Sequence, residues 1–555
     1  MKTILKDTWT ILEKKEKKQF IFLGLFDIVI SLLDILFLAV LLWIIQFYIQ
    51  PGQVNRLSFL PHWLADRNSV PFIAAFFFLF GLKNMAGFLV SSAGYRFNSN
   101  IAIRISRNSL LNYQQAAFEE FVNTDSSVHI RRISLQPFDF CMNILTGLQQ
   151  ISTQVSLIII TIIAITIFNV KLFILLLLVL LPPVIVVFYI IKKRVTKAKR
   201  HIQASNEKSY QHLLDALKGY VESNVYDRND FFMHRFIRSR KKFSTHLFAS
   251  LAMQTLPSRV IEIFAVLGLF LLIVIAKWSG IQDSATLITI GAFMAAAYKI
   301  IPGIVKIINI TGQIKAYEFS VADLKNQTSP GVRHEMQEAG AIHSMELRNI
   351  HFQYQEQPVL TDFSLTLKKG DFIGITGQSG KGKTTILNLM LGFLYPSSGN
   401  ILINDNMIDP KELKNYWPQI SYVRQQSFLI HDTILRNITL EEDGYKKEDL
   451  EFALDLSGIN QLVATYPEGL EKVITENGKN ISGGQQQRIA LARAVYKNAE
   501  IVLLDEPFNE LDEASEISML EDFKELAAKG KMIVMITHDK RSLSYCNKII
   551  SLDEG

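Results

Sequence analysis

Gly377-Gln-Ser-Gly-Lys-Gly-Lys-Thr384 decides how the second half of this chain folds. Its spacing is Gly-x4-Gly-Lys-Thr, preceded by the apolar run Phe372–Thr376 and followed by a helix-compatible segment that begins near Lys383. Strand, glycine-rich turn and helix in that order let backbone N–H groups face phosphate oxygens at a helix N-terminus. Lys383 then reaches the outer phosphates and the Thr384 hydroxyl ligates Mg2+. The predicted ligands are therefore ATP and Mg2+, held by Gly377, Gln378, Ser379, Gly380, Lys381, Gly382, Lys383 and Thr384, with Thr385 behind them.

About 120 residues later a second apolar run, Ile501-Val-Leu-Leu504, ends in Asp505-Glu506. Two acids at a strand end facing a phosphate loop supply a second Mg2+ anchor and a carboxylate that orients an attacking water. Between these motifs lies Ile481-Ser-Gly-Gly-Gln485. Its serine and paired glycines open a helix that presents N–H groups to another phosphate, or simply form a flexible cap. From Met345 onward short β-rich runs alternate with helices, which predicts an α/β domain over 345–555.

The first half has a different composition. Of 555 residues 49% are apolar, and the mean hydropathy is +0.19, too greasy and too long for one soluble domain. Apolar runs of membrane-spanning length recur near 21–48, 71–93, 150–168, 172–191, 256–276 and 285–310. Six transmembrane helices over 19–325 are predicted, the first retained because its run exceeds the ~7–15 residues of a cleavable signal. Basic residues follow the second span (Arg104, Arg107, Arg131, Arg132) and the fourth (Lys192, Lys193, Arg194), and precede the fifth (Arg235, Arg238, Arg240). By the positive-inside rule these segments and both termini are cytoplasmic. They contain few breakers, so the spans should continue as helices into the cytoplasm, with tips at 118–127 and 219–230. Residues 1–18 suit an amphipathic helix at the cytoplasmic interface, 57–68 an external interfacial helix or an ordinary loop, and 326–344 a linker.

Net charge is +6, but the Lys and Arg cluster beside apolar spans, where lipid explains them better than nucleic acid. The two cysteines, Cys141 and Cys546, support neither a disulfide framework nor a metal site.

With the complete motif set in this order, the second half resembles an ABC transporter nucleotide-binding domain. That resemblance implies that Tyr354 stacks on adenine and that Gln425 lies between Mg2+ and the membrane domain. Asp505 holds Mg2+ with Thr384 and Gln425, Glu506 is the general base, and His538 contacts the γ-phosphate. Ser482, Gly483, Gly484 and Gln485 complete the site of a second subunit, with Asp512 in the loop that crosses between subunits. A homodimer with two hydrolysing sites follows. Departures from the usual pattern are Arg424 for proline, Ile481 for leucine and Asn509-Glu510 for Ser-Ala. The chain stops at Gly555, just after the last expected strand, where relatives usually continue.

Six spans fused to one such domain resemble ABC exporters, multi-pass proteins of the cytoplasmic membrane with the ATPase domain in the cytoplasm. Lys83, Arg259 and Lys299 stand inside apolar runs, where a charge is costly unless it faces a cavity; the alternative is that they snorkel to an interface or pair with Asp27, Asp34 or Glu262 inside the bundle. These segments resemble the flippases that turn over lipid-linked oligosaccharides for bacterial protein glycosylation. An anionic lipid-linked glycan or similar amphiphile is the expected substrate, with lipid as neighbour. A peptide or hydrophobic small-molecule exporter is the alternative. A soluble ABC ATPase is excluded by the spans, and a non-pumping channel is disfavoured by Glu506 and His538.

Overall fold

The computed structural model describes residues 2–49, 70–116, 118–168, 204–253, 255–278, 284–328 and 339–553, with isolated helical positions between 170 and 189. They divide into two compact units, Met1–Ala116 with Phe121–Val332, and Ala117–Glu120 with Arg333–Gly555.

The first unit is helical among the described residues. Its long helices are Lys14–Ile49, Val70–Gln115, a run over 126–168, Asn229–Met253, Leu256–Trp278 and Ser284–Ala316. The 126–168 run contains two π-helical stretches, Arg131–Leu135 and Phe140–Leu145. Four stretches among the described residues are long and apolar enough to cross a membrane: Lys14–Leu41, Ile73–Gln115, Ser126–Ile167 and Asn229–Leu271. At most 19% of the apolar window in any of them is buried, so most of that surface needs lipid or another chain to cover it. The expected span 285–310 lies within Ser284–Ala316, whereas 172–191 and 57–68 fall outside the described residues apart from isolated helical positions in the former.

Val70–Gln115 has 46 residues, about 69 Å of helix, against ~30 Å of hydrocarbon. More than half of it therefore projects beyond the bilayer core. Short helices, Phe118–Asn123 and Tyr220–Val225, stand at the two expected tips.

The N-terminal segment differs from the interfacial helix expected over 1–18. Lys2–Ile11 is helical, but residues 14–18 already belong to the first long helix. Ile4, Ile11 and Leu12 are buried against Phe97, Ile101, Ile105, Phe140, Ile144, Ile314 and Leu324. Spacing of i, i+7 and i+8 puts these side chains on one helical face, and protein rather than lipid covers that face. Lys325 reaches Asp7 at 2.7 Å from the helix Glu318–Thr328, which takes in 326–328 of the expected linker.

Lys83 is one of the three basic residues singled out in the spans. Its ammonium is paired with Asp34 on the first long helix, lies 4.8 Å from the Phe80 ring centre, and its side chain is 7% exposed. An intramembrane charge solved in this way costs little while both partners are present and much when one is removed.

The second unit is a two-sheet α/β domain. Strands β1 (Ser344–Tyr354), β2 (Gln357–Lys368), β4 (Ser398–Ile403) and β5 (Asn406–Ile408) form an antiparallel sheet in the order β2-β1-β4-β5. Strands β3 (Phe372–Thr376), β6 (Ile420–Val423), β9 (Ile501–Asp505), β10 (Met532–Ile536) and β11 (Lys548–Ser551) form a parallel sheet in the order β11-β3-β10-β9-β6. Between them in sequence, β7 (Asp432–Thr433) pairs with β8 (Val473–Ile474). Every residue of β9 and β10 is buried, the pattern of parallel strands covered on both faces. Alternation divides them: Ile501, Leu503, Met532, Val534 and Ile536 join one core, and Val502, Leu504, Ile533 and Met535 the other.

Replacing Lys83 by Met should destabilise the protein by on the order of 3 kcal/mol, because Asp34 is left unpaired. The double variant Lys83→Met with Asp34→Leu should recover most of that loss. Thermal unfolding midpoints of the three proteins measure it; equal losses in the single and double variants would contradict the pairing.

Candidate nucleotide site

Parallel strands bring their carboxyl ends to one edge of the sheet. Ile536 of β10 is in register with Ile375 of β3 and Asp505 of β9, while Val423 of β6 is opposite Leu504. The residues that follow each strand are thereby gathered: Gly377–Thr384, Gln425, Asp505-Glu506 and Thr537-His538. Loops at that edge are where α/β sheets place their ligands.

The phosphate loop turns into the helix Lys383–Met390. Gly382 has φ +91°, and a Cβ there would stand 2.8 Å from Val359 Cγ1, so both backbone and space require glycine. Lys383 is buried, and its Nζ donates to the carbonyls of Gly377 (2.7 Å) and Gln378 (3.1 Å). An ammonium held by loop carbonyls is available to anionic oxygens entering the same loop. Ser379 and Lys381 are exposed on it.

The Thr384 hydroxyl donates to Asp505 Oδ2 at 3.3 Å. Burial raises the Asp505 pKa above the ordinary carboxylate value; the Thr384 bond lowers it, Glu506 raises it and Lys383 lowers it. Tyr422, on β6, has its phenol pushed up to about 12 by burial and by the Asp505 charge. Among the described residues no cluster of three or more His, Cys, Asp or Glu forms a protein-only metal cage. Mg2+ characteristically takes one or two carboxylates together with substrate phosphates, and the hard oxygens of Thr384 and Asp505 fit that demand.

Glu506 is held from three sides. Its Oε2 accepts from Gln425 Nε2 and from Asn509 Nδ2, each at 2.7 Å, and its Oε1 lies 3.4 Å from His538 Nε2. Gln425 thus contacts the carboxylate beside the expected Mg2+ ligands. The Glu506 backbone has φ +49°, a left-handed conformation costly for a residue with a side chain. It is fixed by its own N–H to Ile536 O (3.0 Å) and by Gln487 Nε2 to its carbonyl (3.1 Å).

Ser482 caps the helix Gly483–Tyr496 in a reciprocal capping box with Gln485: Gln485 N donates to Ser482 Oγ (3.3 Å), and Ser482 N to Gln485 Oε1 (2.9 Å). The Gln485 side chain is therefore committed to its own helix. A Cβ on Gly484 would lie 2.6 Å from the Glu510 backbone oxygen. Asp512 caps the helix Glu513–Ala528 through Ser515 N (3.0 Å), binds Ser515 Oγ (2.7 Å) and faces Arg488 (3.4 Å). Tyr354 ends β1, half exposed, edge-on to Phe352 at 4.9 Å.

Sequence reasoning missed Gln487, which is buried and bridges Glu506 O and Glu510 N (2.9 Å). Its only signal is a polar residue on the apolar face of a helix that also buries Ile489, Ala490 and Leu491. Asn509 was noted as a departure, and its amide proves to hold the Glu506 carboxylate. Of the three membrane cations, Lys83 is paired with Asp34 and Arg259 is largely exposed 3.9 Å from Glu262. Lys299 is partly buried on Ser284–Ala316, and no hydrogen bond or ion pair joins any two of the three among the described residues. Cys546 is free, its thiol pushed up to about 12 by burial.

A proton on Asp505 competes with Mg2+, and its raised pKa moves that competition above the pH at which an exposed aspartate protonates. Acidification toward the carboxylate range should therefore raise the Mg2+ concentration needed for half-maximal nucleotide binding in the native protein, and should do so at a higher pH than an exposed aspartate would set; a requirement that stays constant on acidification would contradict this. Gly484→Ala should cost about 1–3 kcal/mol by forcing the Glu510 backbone aside, read as a lowered thermal midpoint, and an unchanged midpoint would refute the close packing.

The sequence model described as ABC transporter matches residues 360–509, and that described as ABC transporter transmembrane region matches 20–298. A probable ABC transporter ATP-binding/permease protein of Haemophilus influenzae is 34% identical over 214 residues, 39% of each chain. An ATP-dependent lipid A-core flippase of Syntrophus aciditrophicus is 31% identical over 328 residues, 58% of this chain and 54% of its own. Another from Alkalilimnicola ehrlichii is 26% identical over 470 residues, 81% of this chain and 79% of its own. The chain thus spans less than two thirds of the first two relatives and more of the third. A bacterial Atm1-family ABC exporter with ATP bound shares the fold at a TM-score of 0.80 and 18% identity, covering 98% of this chain and 95% of that one. The chain belongs to the ABC transporter family, with a membrane region and an ABC ATPase domain fused in one polypeptide.

Proposed function

We propose that two copies of this chain form a transporter of the cytoplasmic membrane that couples ATP hydrolysis to the translocation of an anionic amphiphilic lipid, of which a lipid-linked oligosaccharide is one member. The observation that carries the ATPase part is the Glu506 carboxylate, fixed by Gln425, Asn509 and His538 beside the Thr384–Asp505 pair. A lipid cargo is supported by the flippase names of two relatives and by the apolar spans.

The residues divide the work by chemistry. Loop N–H groups and Lys383 bind the phosphates, and Tyr354 offers a ring to the base. Thr384 and Asp505, with Gln425 nearby, would hold Mg2+, which when bound neutralises charge on the phosphates. Glu506 orients a water and takes its proton as the water attacks the γ-phosphorus and the bond from that phosphorus to the β–γ bridging oxygen breaks, giving phosphate and ADP. His538 steadies the same carboxylate and the γ-phosphate. Ser482, Gly483 and Gly484 stand at a helix N-terminus, where N–H groups favour a phosphate presented by the second copy. A site that needs both copies makes hydrolysis depend on their closure.

Glu506→Gln keeps the size of the side chain and removes its basicity. Turnover should fall by at least about 100-fold, while binding of a fluorescent ATP analogue is retained. Retained turnover would overturn the assignment of the base.

A further inference from the structure

The cytoplasmic ends of four apolar helices enclose a polar cavity of about 230 Å3, lined among others by Asp27, Asn98, Thr146, Gln150 and Lys306. It is smaller than the roughly 300–1,000 Å3 of pockets for drug-sized ligands, so it suits one polar group of a larger molecule. Asp27 stands nine residues beyond Lys18, about 14 Å along the helix, and Arg104 six residues beyond Asn98, about 9 Å. These distances put the cavity at the level where lipid headgroups meet hydrocarbon.

Its polarity is organised. Thr146, Gln149, Gln150, Thr153 and Gln154 recur at helical spacing and make one polar face on an otherwise apolar helix. Asn98 is 2% exposed, and its Nδ2 donates to Thr146 Oγ1 (2.8 Å). Thr146 gives its own proton to Cys141 O (2.9 Å), so it accepts from Asn98 and thereby fixes which way the amide points. Asn98 Oδ1 is left buried with no partner. A buried acceptor without a donor is costly, and in a cavity beside a carboxylate and an ammonium it marks a place for a ligand's hydrogen.

We infer that this cavity is a headgroup site for a lipid bearing hydroxyls next to an anionic group: Asn98 Oδ1 and Asp27 accept from the hydroxyls and Lys306 binds the anion. The use of the site in translocation rests on the function proposed above, whereas binding does not require turnover.

Native mass spectrometry of the full chain tests it with three lipids. Phosphatidylinositol carries hydroxyls and a phosphate, phosphatidic acid the phosphate alone, and monoglucosyl diacylglycerol hydroxyls alone. Phosphatidylinositol should bind about tenfold more tightly than either of the others. Asn98→Leu and Asp27→Leu should each abolish its advantage over phosphatidic acid, and Lys306→Gln its advantage over the glucolipid. The comparison of lipids on the unaltered protein needs no variant to fold. Equal binding of phosphatidylinositol and phosphatidic acid there, as expected if only water meets Asn98, would overturn the proposal, as would a preference that survives all three substitutions. Failure of ATP-driven flipping with this selectivity intact would strike the proposed function and leave the site standing.

Discussion

A carboxylate at the end of a buried strand, where burial opposes its charge, is the constraint around which the ATPase half is built. Asp505 closes a strand with no exposed residue, and burial resists its charge. The chain compensates locally, with the Thr384 hydroxyl and the Lys383 ammonium within the same loop. Glu506, one residue on, escapes the strand by a left-handed turn and is held by the amide of Gln425 from the loop after β6 and that of Asn509 from its own loop. Parallel strand order makes this possible, because it delivers β3, β6, β9 and β10 to one edge without any long connection at the site.

The membrane half meets the opposite problem, since its solvent rejects charge altogether. It solves this in two ways. Lys83 and Asp34 neutralise each other within the bundle, and Arg104 takes Glu16 at 2.6 Å near the cytoplasmic boundary. Elsewhere polar side chains are drawn together along one face of a helix, so that their cost becomes a cavity able to interact with a polar molecule. Long helices then carry the bundle past the bilayer, and the short helices at their tips offer elements for movement to act upon.

Much of this was legible in the residues themselves. Gly377 to Thr384 between an apolar run and a helix, and Asp505-Glu506 at the end of another, define the site because strand-end chemistry leaves a local signature. Hydrophobic length likewise marked the helical half, where four of the described stretches are long and apolar enough to cross a membrane. What stayed hidden depended on partners distant in sequence. The residues near Lys83 allow an acidic partner inside the bundle, but the choice of Asp34, 49 residues earlier, over Asp27 or Glu262 is set by how the helices pack. The stripe on Lys2–Ile11 does not say whether lipid or the Phe97–Ile105 face will cover it. Gln487 looks like an ordinary helical glutamine until its two backbone partners are seen. Asn98 likewise acquires meaning only from the hydrogen that Thr146 spends on Cys141.

The central claim is that nucleotide chemistry at the sheet edge drives a lipid through the helical half. Reconstitution into liposomes holding a fluorescent lipid-linked sugar, with ATP supplied on the side of the ATPase domain, measures it directly through a quencher added outside. Leaflet distribution should change only with hydrolysable ATP and in proportion to its consumption. An unchanged distribution while ATP is steadily consumed would contradict the account.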